Sequence, residues 1–128
     1  MNLLQYLGIQ SQSITAKKAV VSVEVSDKLK QPYGIVHGGI NTVLAETAAS
    51  LGANKWLINQ KLNQIAIGIN ITTNHLLPVA DGKIKAIATP LKCGHTIQTW
   101  LVKEYNHEKL SSTSIVTLAN REKERWLR

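Results

Sequence analysis

The chain of 128 residues contains little cysteine, proline and aromatic residue: one Cys, three Pro, three Trp, three Tyr and no Phe. A lone cysteine, Cys93, excludes both an internal disulfide and a multi-cysteine metal site. No run of about 18 or more apolar residues occurs, which excludes a membrane-spanning helix. The start, MNLLQYLGIQ, lacks a basic region and a small-residue cleavage site, so we expect mature sequence and a cytoplasmic location.

Motifs for metals and cofactors are missing as well. No HxxxH or HExxH pair is present, so His75 and His95 have no partner at metal-ligand spacing. The chain also lacks a GxSxG elbow, a Gly-rich phosphate loop and a dinucleotide fingerprint. The sequence therefore predicts no metal site and no cofactor.

The charge is biased towards the positive, with 15 Lys and Arg against 8 Asp and Glu and a net charge of +7. Such a balance favours anionic partners. The basic residues are scattered, and the nearest approach to a run, the tail REKERWLR, is interrupted by two Glu. We therefore expect no nucleic-acid partner, while a phosphate-rich small molecule would suit the same charge. The length predicts one domain, residues 1–128.

Hydrophobic periodicity predicts one long helix and about five strands. Residues 1–8 indicate a helical turn or two, and the alternation from Ala19 to Ser26 indicates a first strand. A Pro- and Gly-containing loop, KLKQPYGIVHGG, leads into a helix over residues 38–57. Further strands are predicted at QIAIGINITTNH and at about 83–92, 96–105 and 110–120, with short turns between the last three. This order is typical of an α+β fold in which an antiparallel sheet curls around a central helix.

The composition of this helix is unusual. One stripe carries larger residues at helical spacing, namely Ile40, Val43, Leu44, Thr47, Ala48 and Leu51. The opposite side carries Ala45, Ala49 and Gly52, where a surface helix would carry charged residues. We therefore expect burial on both sides, with another backbone close to the small side.

The start of the helix could bind an anion. Gly38 and Gly39 stand where backbone N–H groups lack helical partners, and such groups stabilise an anion or a developing oxyanion. The alternative is a tight joint between loop and helix. His37 either donates a hydrogen bond to a substrate carbonyl or anchors the loop, and a lone His is more often structural.

Glu46 is the one carboxylate of this helix, with Ser50 one turn further along the same flank. In low-dielectric surroundings a carboxylate is a stronger base and nucleophile, and a neighbouring hydroxyl could hold a water against it. The alternative is a Glu exposed on a rim or capping a loop N–H. We expect a buried carboxylate that takes part in chemistry.

The run GIVHGGINTVLAETAAS resembles the signature of hotdog-fold acyl-CoA thioesterases of the phenylacetate-pathway type. It is most similar to the branch that contains dihydroxynaphthoyl-CoA and hydroxybenzoyl-CoA hydrolases. The stretches GINITTNH and PLKCGHTIQTW share this resemblance, which covers about residues 20–120. It implies a hotdog fold, a homodimer joined through its sheet edges, and pairing of such dimers into a homotetramer.

The resemblance also implies roles for individual residues. Glu46 would be the nucleophile, through a mixed anhydride, or the general base on water. The N–H of Gly38 would polarise the thioester carbonyl, with Gln31 as a second donor. The remaining residues of the implied site are His37, which orients the thioester, Ser50, which holds the hydrolytic water, and His75 and Gly39, which contact substrate. The Gly38 donor and the Glu46 that act on one thioester would come from different subunits.

One stretch departs from the family pattern. After TTNH the chain reads LLPVADG, where related enzymes often place a basic residue towards the CoA phosphates. With Leu76 and Leu77 at that position, the phosphates would instead meet Lys92, His95 or the basic tail.

The favoured function is hydrolysis of an aromatic acyl-CoA, with 1,4-dihydroxy-2-naphthoyl-CoA the leading candidate and a short or medium aliphatic acyl-CoA the runner-up. Two alternatives are a hotdog hydratase or dehydratase, and an acyl-CoA-binding protein without activity. Neither alternative releases thiol from acyl-CoA, so thiol release distinguishes the favoured function from both.

Overall fold

The computed structural model describes residues 1–126. Its elements in chain order are α1 (Leu3–Leu7), β1 (Gln10–Ile14), β2 (Ala19–Glu24), a 3-10 turn (Asp27–Leu29), α2 (Gly38–Asn59), β3 (Gln64–His75), β4 (Lys83–Cys93), β5 (Ile97–Asn106), β6 (Lys109–Glu122) and α3 (Lys123–Trp126). The expected α+β class, with one long helix and an antiparallel sheet, is confirmed. Among the described residues, no helix is long and apolar enough to cross a membrane.

The six strands form one sheet in the order β1-β2-β4-β5-β6-β3, and every neighbouring pair is antiparallel. Strands β4, β5 and β6 follow one another through short turns, as expected. The β5–β6 turn contains His107 and Glu108, both in the left-handed region with φ of 48° and 64°, which suits a tight hairpin. Strand β3 lies at one edge of the sheet, so no further strand among the described residues pairs with its outer side. Near its start, the Ala66 N–H and carbonyl are hydrogen-bonded to the Asn54 side chain.

The strand count differs from the expected five because β1 adds a sixth strand. Its sequence, QSQSI, is polar and mostly exposed, so it shows no alternation of apolar and polar residues. It pairs with β2 through backbone hydrogen bonds, which any sequence can supply. Nothing in the hydrophobic pattern marks such a strand.

Helix α2 packs on the sheet with its small side together with Leu44 and Ala48 of the larger stripe, which corrects the expected arrangement. Leu44, Ala45, Ala48, Ala49, Gly52, Ala53 and Leu57 are its buried apolar and glycine residues. A Cβ on Gly52 would lie 2.6 Å from ring atoms of Trp100, so this glycine makes room for a side chain, not for another backbone. Ile40, Val43 and Leu51, from the larger stripe, are only partly buried within one chain.

A bulge in β3 interrupts the alternation that the sequence shows. The register with β6 shifts between Gly68 and Asn70, and Ile69 is left 56% exposed. Ile67 pairs with Ala119, whereas Ile71 pairs with the buried Val116, so the isoleucines do not share one face as expected. Because of this shift, the end of β3 presents His75 towards the start of helix α2.

Candidate functional site

Helix α2 begins with a cap that leaves one backbone donor free. The Nδ1 atom of His37 accepts a hydrogen bond of 2.9 Å from the Gly39 N–H. The Gly38 N–H makes no hydrogen bond to any described residue. Because Nδ1 is an acceptor, the proton of neutral His37 is on Nε2, which is therefore a donor. His37 thus anchors the loop, as one of the two expected roles requires, and the N–H of Gly39 is not available to substrate.

Gln31 lies beside this helix start in the preceding loop. Its backbone N–H donates to the Ile35 carbonyl at 2.9 Å, and its side-chain Oε1 accepts from the Tyr33 N–H. The loop is attached to the core, since the Val36 N–H donates to the Val79 carbonyl at 2.7 Å. With Oε1 occupied, the amide NH2 of Gln31 is the end of the side chain left to meet another group.

His75 closes the same region from the end of β3. A Cβ on Gly38 would fall 2.8 Å from Nε2 of His75, so only glycine fits beneath the ring. The ring Nδ1 lies 3.1 Å from Nδ2 of Asn41. Together with Gln31, these residues line a cavity of about 320 Å³ whose other walls are apolar. We call it the donor cavity.

Glu46 and Ser50 line a second cavity of about 370 Å³, together with Leu51 and residues 66–68 of β3. We call it the carboxylate cavity. Gly68 lets Glu46 lie close to β3, because a Cβ at that position would meet Oε2 of Glu46 and the flexible carboxylate would have to move. The hydroxyl of Ser50 lies 3.4 Å from Nδ2 of Asn54. Within one chain Glu46 is exposed, which corrects the expectation that it is buried.

The two cavities are too far apart to form one active site within one chain. Glu46 follows Gly38 by eight residues of the same helix, a distance of about 12 Å along the axis. A catalytic base and an oxyanion donor must both lie about 3 Å from the reacting groups. The structure therefore brings Gln31, Gly38 and His75 together, and Glu46 and Ser50 together, but keeps the two groups apart.

His95 belongs to neither group. It lies in the turn between β4 and β5, and its backbone carbonyl accepts a hydrogen bond of 3.2 Å from Asn120. With Lys92 it lines a surface cavity of about 400 Å³. The structure thus places the two expected phosphate-contacting residues side by side. The basic tail ends with residues 127 and 128, which lie outside the described residues.

Two buried polar residues near the donor cavity were missed by the sequence analysis. Asn41 is buried in the first turn of α2, and its Oδ1 has no hydrogen-bond partner among the described residues. Glu104 is 0% exposed, and burial raises its pKa to about 8, although the nearby Ser112 hydroxyl offsets part of the rise. In the sequence, Trp100, Val102 and Glu104 alternate, and that period places Glu104 on the inner face.

The other candidate groups are less suited to metal binding or to nucleophilic attack. Within residues 1–126, no three His, Cys, Asp or Glu side chains are grouped so that they could hold a metal ion. Cys93 is half-buried, and desolvation raises the pKa of its thiol, which makes it a poorer nucleophile at neutral pH.

The sequence is similar to known thioesterases and acyl-CoA hydrolases. A family model described as the thioesterase superfamily matches residues 33–112. The chain is 39% identical over 124 residues to a 1,4-dihydroxy-2-naphthoyl-CoA hydrolase of Listeria monocytogenes, covering 96% of this chain and 98% of that protein. It is 28% identical to the Escherichia coli protein of the same name, covering 92% of this chain and 85% of that protein.

The fold is also similar to a solved structure. A thioesterase from Haemophilus influenzae superimposes with a TM-score of 0.89 and 32% sequence identity. The match covers 98% of this chain and 86% of the other.

Proposed function

Since the chain belongs to the thioesterase superfamily, whose hotdog fold it shares, and is therefore a thioester hydrolase, we propose that it cleaves aromatic acyl-CoA thioesters. The leading candidate substrate is 1,4-dihydroxy-2-naphthoyl-CoA, which is hydrolysed to the free acid and CoA. Two relatives named as hydrolases of that thioester support this choice. The observation that carries the proposal is the presence of two half-sites, a donor cavity and a carboxylate cavity, in one small domain.

The donor cavity suits the thioester carbonyl. We expect the free N–H of Gly38 to donate to the carbonyl oxygen, and the amide NH2 of Gln31 to act as a second donor. His37 would orient the thioester through its Nε2–H, and His75 would contact the substrate beside Gly38. Donors placed in advance stabilise the oxyanion of the tetrahedral intermediate, because they need no rearrangement as the charge develops.

The carboxylate cavity suits the attack on that carbonyl, and two routes remain open. In the general-base route, Glu46 takes a proton from a water held by Ser50, and the water oxygen attacks the carbonyl carbon. Collapse of the oxyanion breaks the C–S bond, and the departing CoA thiolate takes up a proton. In the nucleophilic route, a Glu46 oxygen attacks, CoA leaves, and water hydrolyses the resulting mixed anhydride.

Both routes need two subunits, and the free edge of β3 offers a way to join them. Gly68, in the carboxylate cavity, and His75, in the donor cavity, lie seven residues apart on β3, about 24 Å in an extended strand. Two β3 strands paired antiparallel about Ile71 and Thr72 would set the Gly68 end of one opposite the His75 end of the other. Each carboxylate would then face the donors of the partner subunit, which supports an obligatory homodimer. The pairing of such dimers into a homotetramer is part of the same proposal.

The remaining substrate contacts follow from the surface. We expect the CoA phosphates to meet the cavity that Lys92 and His95 line, because it combines a cation with a second hydrogen-bonding side chain. Gly39 would approach the substrate through its exposed backbone, without donating its N–H.

The reaction is tested by thiol release from a panel of aromatic and aliphatic acyl-CoA esters, measured for the wild type and Glu46→Gln side by side. Release by the wild type and not by the variant is the expected result, and the rates rank the substrates. No thiol release from any ester would reject the proposed function. Equal rates for the two proteins would remove Glu46 from the mechanism.

Shared active sites are tested by mixing two inactive variants. Glu46→Gln lacks the carboxylate, and Gln31→Ala lacks a donor, which should lower turnover by about a hundredfold. After unfolding and joint refolding, half of the dimers are mixed, and one of the two sites in each mixed dimer has both residues. We therefore expect about a quarter of the wild-type activity to return for a symmetric dimer. No recovery in a mixture shown to contain mixed dimers would mean that each site lies within one subunit.

A further inference from the structure

A row of polar residues crosses the inner face of the sheet beneath the donor cavity. Glu104 of β5 pairs in register with Ser112 of β6, and Ser112 pairs with His75 of β3. Neighbouring strands lie about 5 Å apart, so Glu104 is about 10 Å from His75. At the end of this row, His75 lies over Gly38 and beside Asn41, both of which line the donor cavity.

Three polar side chains in this region contain buried atoms that lack hydrogen-bond partners among the described residues. Both carboxyl oxygens of Glu104, the hydroxyl of Ser112 and the Oδ1 of Asn41 are buried without a partner among the described residues. Ser112 is near enough for its dipole to favour ionisation of Glu104 in part, but the two groups do not meet hydrogen-bond geometry. Buried polar groups without partners are costly, and such groups are few in folded proteins.

Among the described residues, no buried Lys or Arg compensates a charge on Glu104. The lysines of the neighbouring strands, Lys83, Lys85, Lys103 and Lys109, are all exposed. On helix α2, the charged residues Glu46 and Lys55 are also exposed. His37 caps the helix through the Gly39 N–H, and Asp81, on the loop after β3, pairs with His107. His75 is therefore the titratable side chain in the same row as Glu104. Cys93 also packs against the core, but it pairs with Gln98, six residues from Glu104 along β5.

Burial without a cation keeps Glu104 protonated at neutral pH, since its pKa is raised to about 8. A neutral acid adds no charge beneath the donor cavity. Above that pH, the carboxylate would place a negative charge beneath the donor cavity, about 10 Å from His75, near the carbonyl oxygen on which negative charge develops during the reaction.

We infer that Glu104 acts on the thioesterase site through its charge: it is buried in register with Ser112 and His75 beneath the donor cavity, and its ionisation lowers turnover at alkaline pH. The inference rests on the proposed function. It extends that function by assigning the fall of kcat at alkaline pH to a residue that does not contact the substrate.

The size of the effect follows from Coulomb's law. Two like charges about 10 Å apart, at an effective dielectric constant of about 20, change a rate by roughly tenfold. The change should appear in kcat, because the developing oxyanion carries the charge, whereas KM should change little.

The kinetic test compares the wild type with Glu104→Gln, which keeps the shape of the side chain but cannot ionise. We expect kcat of the wild type to fall about tenfold between pH 7 and pH 9.5, and kcat of Glu104→Gln to stay within about twofold over that range. Glu24→Gln is the matched control: Glu24 is an exposed strand carboxylate, 3.7 Å from Lys83, and its variant should behave as the wild type does. The same alkaline fall in Glu104→Gln would overturn the inference.

A second measurement needs neither activity nor a variant that folds. The ring ¹H and ¹³C shifts of His75 in the wild type, followed by NMR from pH 5 to pH 10, should show an inflection at the pH where Glu104 ionises. A curve without that inflection would overturn the inference, even if the kinetic variant could not be folded. Failure of the proposed function would show differently, as absence of thiol release in the wild type with the NMR inflection still present.

Discussion

The two halves of the core beneath helix α2 differ in how completely their buried polar groups are hydrogen-bonded. Under the C-terminal half, Trp100 Nε1 donates to Gln98, Gln98 donates to Asn120 and to the Ala53 carbonyl, and Asn120 donates to the carbonyls of residues 94 and 95. Under the N-terminal half, Glu104, Ser112 and Asn41 each keep a buried atom without a partner in the part of the chain that the structure describes. The first network is complete and the second is not.

We relate the complete network to the stability of the fold and the incomplete network to the neighbouring site. A complete network holds a turn and a core in one arrangement, and each partner offsets the cost of burying the others. An incomplete network gives up stability, and such groups are retained most readily where they act on a neighbouring site. In this protein the incomplete network lies beside the donor cavity, whereas the complete one fixes the turn that carries His95.

The largest expected effect concerns the carboxylate cavity itself. Glu46→Gln should lower kcat for thiol release by about a thousandfold, because an amide can neither accept the proton of water nor attack the thioester. Its unfolding midpoint should be unchanged, since Glu46 is exposed within the chain and makes no salt bridge among the described residues. Glu24→Gln again serves as the control. A loss of less than tenfold would mean that Glu46 is not the catalytic carboxylate. The carboxylate cavity would then not supply the base or the nucleophile of the reaction.

A smaller effect should appear when the complete network is broken. Asn120→Ala leaves the Gln98 amide and two backbone carbonyls without their partner, which should destabilise the protein by about 2 kcal/mol. Urea denaturation measures this loss. Because the network touches neither the donor nor the carboxylate cavity, kcat at saturating substrate should stay within about twofold. A large fall in kcat, with folding intact, would show that this half of the core also serves catalysis.

A more gradual effect, smaller per pH unit than the loss in Asn120→Ala, is a pH dependence of stability that comes from the incomplete network. The folded protein keeps a proton on Glu104 up to about pH 8, while the unfolded chain releases it near pH 4.5. The folded state therefore binds more protons between these values, so the contribution of Glu104 is complete below pH 4.5 and is lost as the pH rises towards 8.

The expected slope is about 1 kcal/mol per pH unit between pH 5.5 and pH 7. Denaturation of the wild type and Glu104→Gln at several pH values, analysed as the difference between the two proteins, isolates this slope from other titrating groups. A difference that does not vary with pH would show that Glu104 ionises normally in the folded protein.

Several features could be predicted because they depend on neighbours in the sequence. The long helix was predicted from its apolar period and its glycine-rich start, and the hairpin at residues 106–109 from its turn residues; both are confirmed. The resemblance placed Gly38 and Glu46 in one signature. Their roles in catalysis remain predictions.

Other features depend on contacts between distant segments. Strand β1 is polar and is held by its backbone pairing with β2, so no hydrophobic pattern in the sequence marks it. The bulge at Ile69 arises from the register between β3 and β6, and it reverses the face of every residue that follows. The sequence predicts burial of Glu46, yet Glu46 is exposed within one chain, and among the described residues the buried carboxylate is Glu104.

The sequence by itself determined the class of fold, the family and the helix on which the proposed chemistry depends, because periodicity and a short signature are local properties. Only the tertiary structure decided which polar groups lose contact with water and which cavities they face. Burial depends on the sheet register and on the packing of the small side of α2 against the sheet. For that reason Glu104 became visible as a candidate only when the strands on either side of it were in place.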